Sequence, residues 1–306
     1  MNKVIGHKKQ LDFFSKIIEE GKIPHAFLFF GEDKIGKKTF AFHLAKLILC
    51  ENKACLECKT CLDIDKRISP DVCLIESENN NIEIDKIRML KEFLSLKSYS
   101  NKKKIAIIND AHLMRKDAQN SLLKLLEEPP ENSVLILVTN FKEMILETIK
   151  SRVQTINFSK VQSEEIEAYL KEKGIEAKLI EETVFYAGGK IGKAIEFLEN
   201  ADQREFFSKT MNYLKRMEID GFEKRFEYVK EIYEDREIVL EVLNTFERFF
   251  RRLMFFKLYG KTSDSFKNYS LLKIKNVIEE IQKTKYYFNN TNTNKKLLLE
   301  NLMINI

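Results

Sequence analysis

Four cysteines, Cys50, Cys55, Cys58 and Cys61, fall within twelve residues in the spacing C-x4-C-x2-C-x2-C. Zinc takes four soft thiolates in a tetrahedron, and C-x2-C pairs wrap readily around an ion. Four thiolates leave no open position, so a zinc ion held here would be structural. Lys53 and Lys59 stand beside the cluster and would offset its negative charge. Disulfide pairing is the competing reading, and clustering in a reducing compartment favours metal over it. Cys73, the fifth cysteine, lies in an apolar run and reads as a small buried residue.

A second centre begins at Gly31. The run Gly31-Glu32-Asp33-Lys34-Ile35-Gly36-Lys37-Lys38-Thr39 follows an apolar segment and opens a helical pattern, the context of a phosphate-binding loop. Gly31 and Gly36 let backbone N–H groups turn inward, and the helix N-terminus adds partial positive charge. Lys37 would reach the outer phosphates of ATP or ADP. The next residue is ordinarily a Ser or Thr whose hydroxyl binds Mg²⁺; here it is Lys38. Thr39 offers a hydroxyl one place later, but a helix turns ~100° per residue, so that hydroxyl is expected to point elsewhere. The strand end after Ile105–Ile108 carries Asn109-Asp110, where a hydrolytic site places an acidic pair. The first acid of that pair holds the metal and the second activates water. Lys38 and Asn109 thus strike the same ion, and little intrinsic hydrolysis is expected. The competing readings are a loop that keeps its shape without a ligand and, for Asp110, a helix cap.

Two further positions could join such a site. Asn140 closes the apolar run Val134–Val138 and could sense a phosphate or orient water, or be a strand-end turn. Arg152, in Lys150-Ser151-Arg152-Val153, could reach across a subunit interface and stabilise a transferring phosphoryl group. Taken alone, a Ser-Arg pair is no more than a surface charge.

The elements that position these residues follow from periodicity. Ala26–Phe30, Val72–Ile75, Ile105–Ile108 and Val134–Val138 read as strands, and Thr39–Leu49, Ile84–Leu96 and Ala118–Glu128 as helices between them, the last stopped by Pro129-Pro130. Alternation of this kind, with unbroken apolar strands, predicts a parallel sheet covered on both faces. After Phe158 no further strand is expected. Ser163–Lys173, Ala177–Ala187 and Ile191–Asn200 read as three short helices, and everything from about Arg204 onward is helical, with long amphipathic stretches over Ile238–Tyr259 and Asn294–Ile304. Three parts are therefore expected: an α/β phosphate-loop domain with the cysteine module over 1–160, a three-helix lid over 161–203, and an all-α domain over 204–306.

Composition bounds the function classes. With 44 % hydrophobic and 32 % charged residues, the chain is globular and not disordered. A net charge of +5 permits contact with nucleic acid but does not argue for it, so an autonomous nucleic-acid binder is disfavoured. Lys102-Lys103-Lys104 reads as a solvated turn. No run approaches the ~18 apolar residues of a membrane span, and Met1-Asn2-Lys3-Val4 runs into a polar segment rather than a leader. A cytoplasmic location is expected.

Taken together, these motifs resemble one family, the AAA+ subunits of the bacterial DNA polymerase III clamp loader. Ile5-Gly6-His7 resembles its N-terminal box near the adenine pocket, and Pro24-His25-Ala26-Phe27-Leu28-Phe29 its strand before the phosphate loop. The cysteines occupy the place of its zinc module, followed by Ser69-Pro70-Asp71. Leu122-Leu123-Lys124-Leu125-Leu126-Glu127-Glu128-Pro129-Pro130 is close to its most recognisable stretch. Ser151-Arg152-Val153 resembles its Ser-Arg-Cys motif, with Val153 in place of Cys, and Asn292–Leu302 its last helix. Motor members of the family carry a lid arginine, and aligning Gly189-Lys190-Ile191-Gly192-Lys193-Ala194 with that lid puts Gly192 in its place. The resemblance therefore implies a non-motor member whose Arg152 acts in trans, the alternative being an active gamma/tau-like ATPase. It further implies partners: gamma/tau motor subunits and a delta subunit in a pentameric ring, with the sliding clamp and primed DNA reached through the complex. The helices after Arg204 would form the collar, with Phe246, Phe249, Phe250, Leu253, Phe255 and Phe256 serving either core or interface.

Overall fold

The computed structural model describes residues 4–100, 102–259, 266 and 269–306; the opening Met1-Asn2-Lys3 lies outside the described residues. The chain divides into two compact units, up to Ile195 and from Glu196.

The first unit is built on five parallel strands in the order β2-β3-β4-β1-β5. In chain order its elements are α1 (Lys8–Glu19), β1 (Ala26–Phe30), α2 (Lys37–Leu49), α3 (Lys59–Asp65), β2 (Val72–Ile75), α4 (Ile84–Ser95), β3 (Lys104–Ile108), α5 (Lys116–Glu127), β4 (Ser133–Thr139), α6 (Glu147–Lys150), β5 (Gln154–Asn157), α7 (Ser163–Glu172) and α8 (Ala177–Ala187). The unit boundary falls within α9 (Ile191–Glu199). The inner strands are apolar through their middles because both faces are covered, with Lys104, Ser133 and Thr139 standing at strand ends. Phe27 and Phe29, Ile105 and Ile107, and Val134, Ile136 and Val138 pack toward Phe14, Phe40, Leu44 and Ile64 of α1, α2 and α3. The alternate residues Ala26, Leu28, Ala106, Ile108, Leu135 and Leu137 pack toward Leu90, Leu122 and Ile149 of α4, α5 and α6. The period-two alternation of a strand thus feeds two separate cores from one apolar sequence.

One strand was not anticipated and one expectation is corrected. Gln154–Asn157 pairs with β1 as an edge. Its residues are exposed or half-buried, so it lacks the apolar signature of the central strands. The lysine run is not a solvated turn. Lys104 lies in β3 and is buried, its ammonium 4.1 Å from the centre of the Phe93 ring and donating to the Pro70 carbonyl at 3.1 Å. Lys102 donates to the Leu49 carbonyl. The carboxylate of Asp71, near Lys104, accepts from the backbone N–H groups of Tyr99 and Ser100 and so anchors the loop before β3.

The second unit is helical among its described residues: α10 (Ala201–Arg216), α11 (Phe222–Ile232), α12 (Arg236–Leu258), α13 (Leu271–Asn290) and α14 (Lys295–Asn305). Asn200, Asp235, Ser270 and Asn294 cap α10, α12, α13 and α14 by accepting from first-turn N–H groups. Phe246, Phe250 and Leu253 belong to its core, whereas Phe255 is half exposed. No helix of the described residues is long and apolar enough to cross a membrane.

Candidate functional site

Everything at the phosphate loop follows from what lies beneath it. Phe14, Phe29, Phe40 and Phe158 interlock under the loop in edge-on and tilted pairs, with ring centres 5.0 to 5.8 Å apart. His7 joins them, 5.0 Å from Phe158, and its Nε2 lies 2.8 Å from the Ile35 carbonyl oxygen. Burial lowers the His7 pKa, keeping the ring neutral at physiological pH. On this floor the loop turns from β1 into α2, and its first residue admits no side chain: a Cβ on Gly31 would stand 2.4 Å from the Phe158 carbonyl oxygen.

Above the loop lies a cavity of about 250 Å³. Gly36, Lys37, Lys38, Asn109, Asp110 and Asn140 all line it. Thr39, at the first turn of α2, lines it too. Ile5 and His7 from the N-terminal box and Tyr169 and Ile191 from the lid helices line it too. Lys37 is buried, and its ammonium donates to the carbonyls of Gly31 and Glu32 and to Asn140 Oδ1 at 2.9, 2.5 and 2.7 Å. Burial pulls its pKa down from 10.5 to about 8. Lys38 is ion-paired with Glu76, which also binds Arg67 at 3.2 Å. The Asn109 amide donates to Asp110 Oδ2 at 2.8 Å. Asp110 occupies the N-cap position of a 3₁₀ turn with left-handed backbone, φ 51°, yet its side chain caps no N–H group.

The segment that leads into α9 closes one side. Gly192 N–H donates to the Lys34 carbonyl at 2.8 Å, and a Cβ on Gly192 would lie 3.0 Å from that same oxygen. Gly192 is therefore flush with the loop backbone. Glu32 binds Lys190 at 2.8 Å and Lys160 at 3.1 Å. Burial would raise the Glu32 carboxyl, but these two lysines hold it below its usual range.

The cysteines gather where α2 ends and α3 begins. Cys50 caps the end of α2 and Cys58 the start of α3, where its sulfur accepts from the Cys61 N–H. The residues Lys53, Ala54 and Leu56 take left-handed backbone, folding the loop back so that all four sulfurs lie within 4.8 Å of one another. Cys50 Sγ is 3.6 Å from both Cys55 Sγ and Cys58 Sγ. A tetrahedral site with Zn–S near 2.3 Å requires S···S of about 3.8 Å, so the donor set fits. Lys53 does not sit over the sulfurs as a counter-charge; its ammonium is paired with Glu19 at 2.7 Å. Cys73 is half-buried in β2, and burial raises its thiol pKa.

Arg152 is not among the residues lining the cavity. It follows α6, is 38 % exposed, and binds Glu127 of α5 at 3.0 Å. Its other contacts are the Thr148 carbonyl and the Ser151 hydroxyl. The Leu-rich stretch ending at Pro129-Pro130 thus supplies, through Glu127, the anchor of the arginine. Sequence reading missed Glu76, Lys160 and the pair Lys46–Asp65, because each partner is remote in sequence and no motif signals it; Glu32 lay in the loop motif, but its pairing with Lys160 and Lys190 did not show.

Comparison with known proteins bears on this arrangement. The family described as DNA polymerase III, delta subunit, matches residues 6–162. The chain belongs to this family. It is 32 % identical over 200 residues to the DNA polymerase III subunit delta' of Bacillus subtilis, a match covering 63 % of this chain and 60 % of that protein. It is 29 % identical over 208 residues to the subunit gamma of Buchnera aphidicola from Acyrthosiphon pisum, covering 65 % and 57 %. The chain thus spans about three fifths of the length of these relatives. A gamma subunit-related protein of Thermotoga maritima aligns over 96 % of this chain and 97 % of its own, at 23 % identity and a TM-score of 0.45. The resemblance to a clamp-loader delta-prime subunit is borne out, as are a parallel sheet covered by helices and a helical part beyond it.

Proposed function

We propose that this chain is the delta-prime component of a DNA polymerase III clamp loader, hydrolyses little ATP itself, and supplies Arg152 to the ATP site of an adjacent gamma/tau motor subunit. The observation that carries this reading is the contrast between two places on one domain. In the cavity, each group that would handle Mg²⁺ is replaced or engaged: Lys38 stands for the hydroxyl and pairs with Glu76, and the Asn109 amide stands for a carboxylate. Outside it, Arg152 is exposed on a helix end and braced by Glu127. A planar guanidinium held in this way suits a neighbour's phosphoryl oxygens. A trans arginine of this kind is worth about 10³–10⁵ in rate at the site it completes.

In this reading residues 1–160 are the AAA+ domain, 161–203 its lid, and 204–306 the collar that joins the ring with the motor and delta subunits. The loader acts in the cytoplasm on the sliding clamp and primed DNA. Cys50, Cys55, Cys58 and Cys61 hold one structural zinc ion, which ties the end of α2 to the start of α3.

The test reconstitutes the loader with its motor and delta subunits and measures clamp- and DNA-stimulated ATP turnover. Arg152→Ala should assemble normally and lose the share of turnover that comes from the site it faces, while the isolated chain stays silent. Turnover by the isolated chain would restore the gamma/tau-like ATPase alternative, and an unchanged rate with Arg152→Ala would sink the trans role.

A further inference from the structure

The cavity retains the shape of a nucleotide site while its metal-binding groups do not fit Mg²⁺. The hydroxyl position is Lys38, the Asn109 amide donates to Asp110, and the nearby Glu76 is already paired with both Lys38 and Arg67. Three lysines, Lys34, Lys37 and Lys38, line the cavity against two carboxylates, Asp33 and Asp110. A divalent cation would add to this surplus of positive charge, whereas phosphates would relieve it. The helix adds to the same preference. The bond from Phe40 N–H to the Gly36 carbonyl begins α2, so the N–H groups of Lys37, Lys38 and Thr39 have no intrahelical acceptor, and all three residues line the cavity. Other parts of the lining are apolar or aromatic: Val4, Ile5, Tyr169, Ile191 and Ile195. A cavity with both a cationic and an apolar lining suits a base joined to phosphates better than a bare phosphate.

We propose that this cavity binds a nucleoside di- or triphosphate without a divalent cation, with the Lys38 ammonium doing the charge neutralisation that Mg²⁺ does elsewhere. Glu76 keeps that ammonium at the cavity wall, and the flexible lysine stem lets it share its donors between the carboxylate and a phosphate oxygen. The proposal concerns the chain's own cavity and stands or falls separately from the role of Arg152.

The test uses the isolated full chain and a fluorescent ADP analogue, read by anisotropy in EDTA and again in millimolar MgCl₂. Equal dissociation constants, within about twofold, are expected in the two buffers. Lys38→Met should weaken binding in EDTA about tenfold or more, the worth of one charge-assisted hydrogen bond, while Lys38→Arg, which keeps the charge, retains it. Unlabelled ADP should compete at least about tenfold better than pyrophosphate, because pyrophosphate leaves the apolar lining unused. No binding, binding that requires Mg²⁺, or an undiminished Lys38→Met of unchanged melting temperature would overturn the proposal. Pyrophosphate competing as well as ADP would overturn the nucleotide assignment.

Discussion

Lys46 and Asp65 form an ion pair 2.6 Å long between α2 and α3, and the lysine side chain is 1 % exposed. The second carboxylate oxygen of Asp65 is buried and has no hydrogen-bond partner among the described residues. Lys46 stands one helical turn before Cys50, and Asp65 one turn after Cys61, so the pair sets the register of the helices that carry the cysteines. Lys46→Met leaves the largely buried Asp65 carboxylate, 18 % exposed, without its counter-charge and with one oxygen buried and unpartnered. Breaking one side of a buried pair costs about 3–5 kcal/mol, whereas replacing both sides by apolar residues is neutral or stabilising. Against a typical domain stability of about 5–15 kcal/mol, the single change removes a large fraction. Lys46→Met is therefore expected to lose protection of the α2–α3 amides in native-state hydrogen exchange, by about 3–5 kcal/mol. It is also expected to release zinc faster to a colorimetric chelator. Lys46→Met/Asp65→Leu should return to within about 1 kcal/mol of the parent. A single variant that costs less than about 1 kcal/mol, or a double variant as weak as the single, would refute the reasoning.

Further outcomes follow from the same contacts. Metal analysis of the purified chain should give about one zinc per chain, abolished by Cys61→Ser, because the four-thiolate site is closed and tolerates no missing ligand. Gly192→Arg should not restore a lid arginine; its Cβ meets the Lys34 carbonyl at 3.0 Å, so faster amide exchange in the phosphate loop and α9 is expected. Burial pulls Lys37 from 10.5 to about 8, so between those values the unfolded chain binds more protons and folded stability rises with pH. Denaturation midpoints of the parent should gain over Lys37→Met from about pH 8 to 10.5, and parallel pH profiles would contradict this.

The inner strands were legible in the sequence because burial on both faces leaves their middles apolar; Ala26–Phe30 matches the observed bounds, as does the apolar edge strand Val72–Ile75. The strand Gln154–Asn157 was not, because an edge strand only half covered needs no apolar run. The helix Lys8–Glu19 packs Leu11, Phe14, Ile17 and Ile18 on the core but has no side-chain cap, so its start carries no signal. Within the site, the motif positions Lys37, Lys38, Asn109, Asp110 and Asn140 do line one cavity. What spacing alone did not reveal is what each touches. Lys38 is informative as a substitution, but Glu76, which holds it, lies 38 positions away and belongs to no motif.

The loop keeps its shape for reasons that owe nothing to hydrolysis. Its first glycine packs on the Phe158 carbonyl, its lysine is tied to Gly31, Glu32 and Asn140, and Glu32 and Lys34 hold the lid through Lys160, Lys190 and Gly192. Each of these contacts braces β1, α2 and the lid against one another. Lys38 and Asn109, by contrast, bind Glu76 and Asp110 and take no part in bracing these elements. A site under pressure to remain rigid but not to turn over would retain the first group and be free to change the second. Glu32→Gln separates the two demands. It weakens the bonds to both lysines and should loosen the lid without touching the phosphate-facing groups. Amide exchange in α8 and α9 should then rise while Arg152-dependent turnover of the assembled loader stays within about twofold. If the lid stays protected in Glu32→Gln, the two lysine pairs contribute no more than solvent-screened surface contacts do.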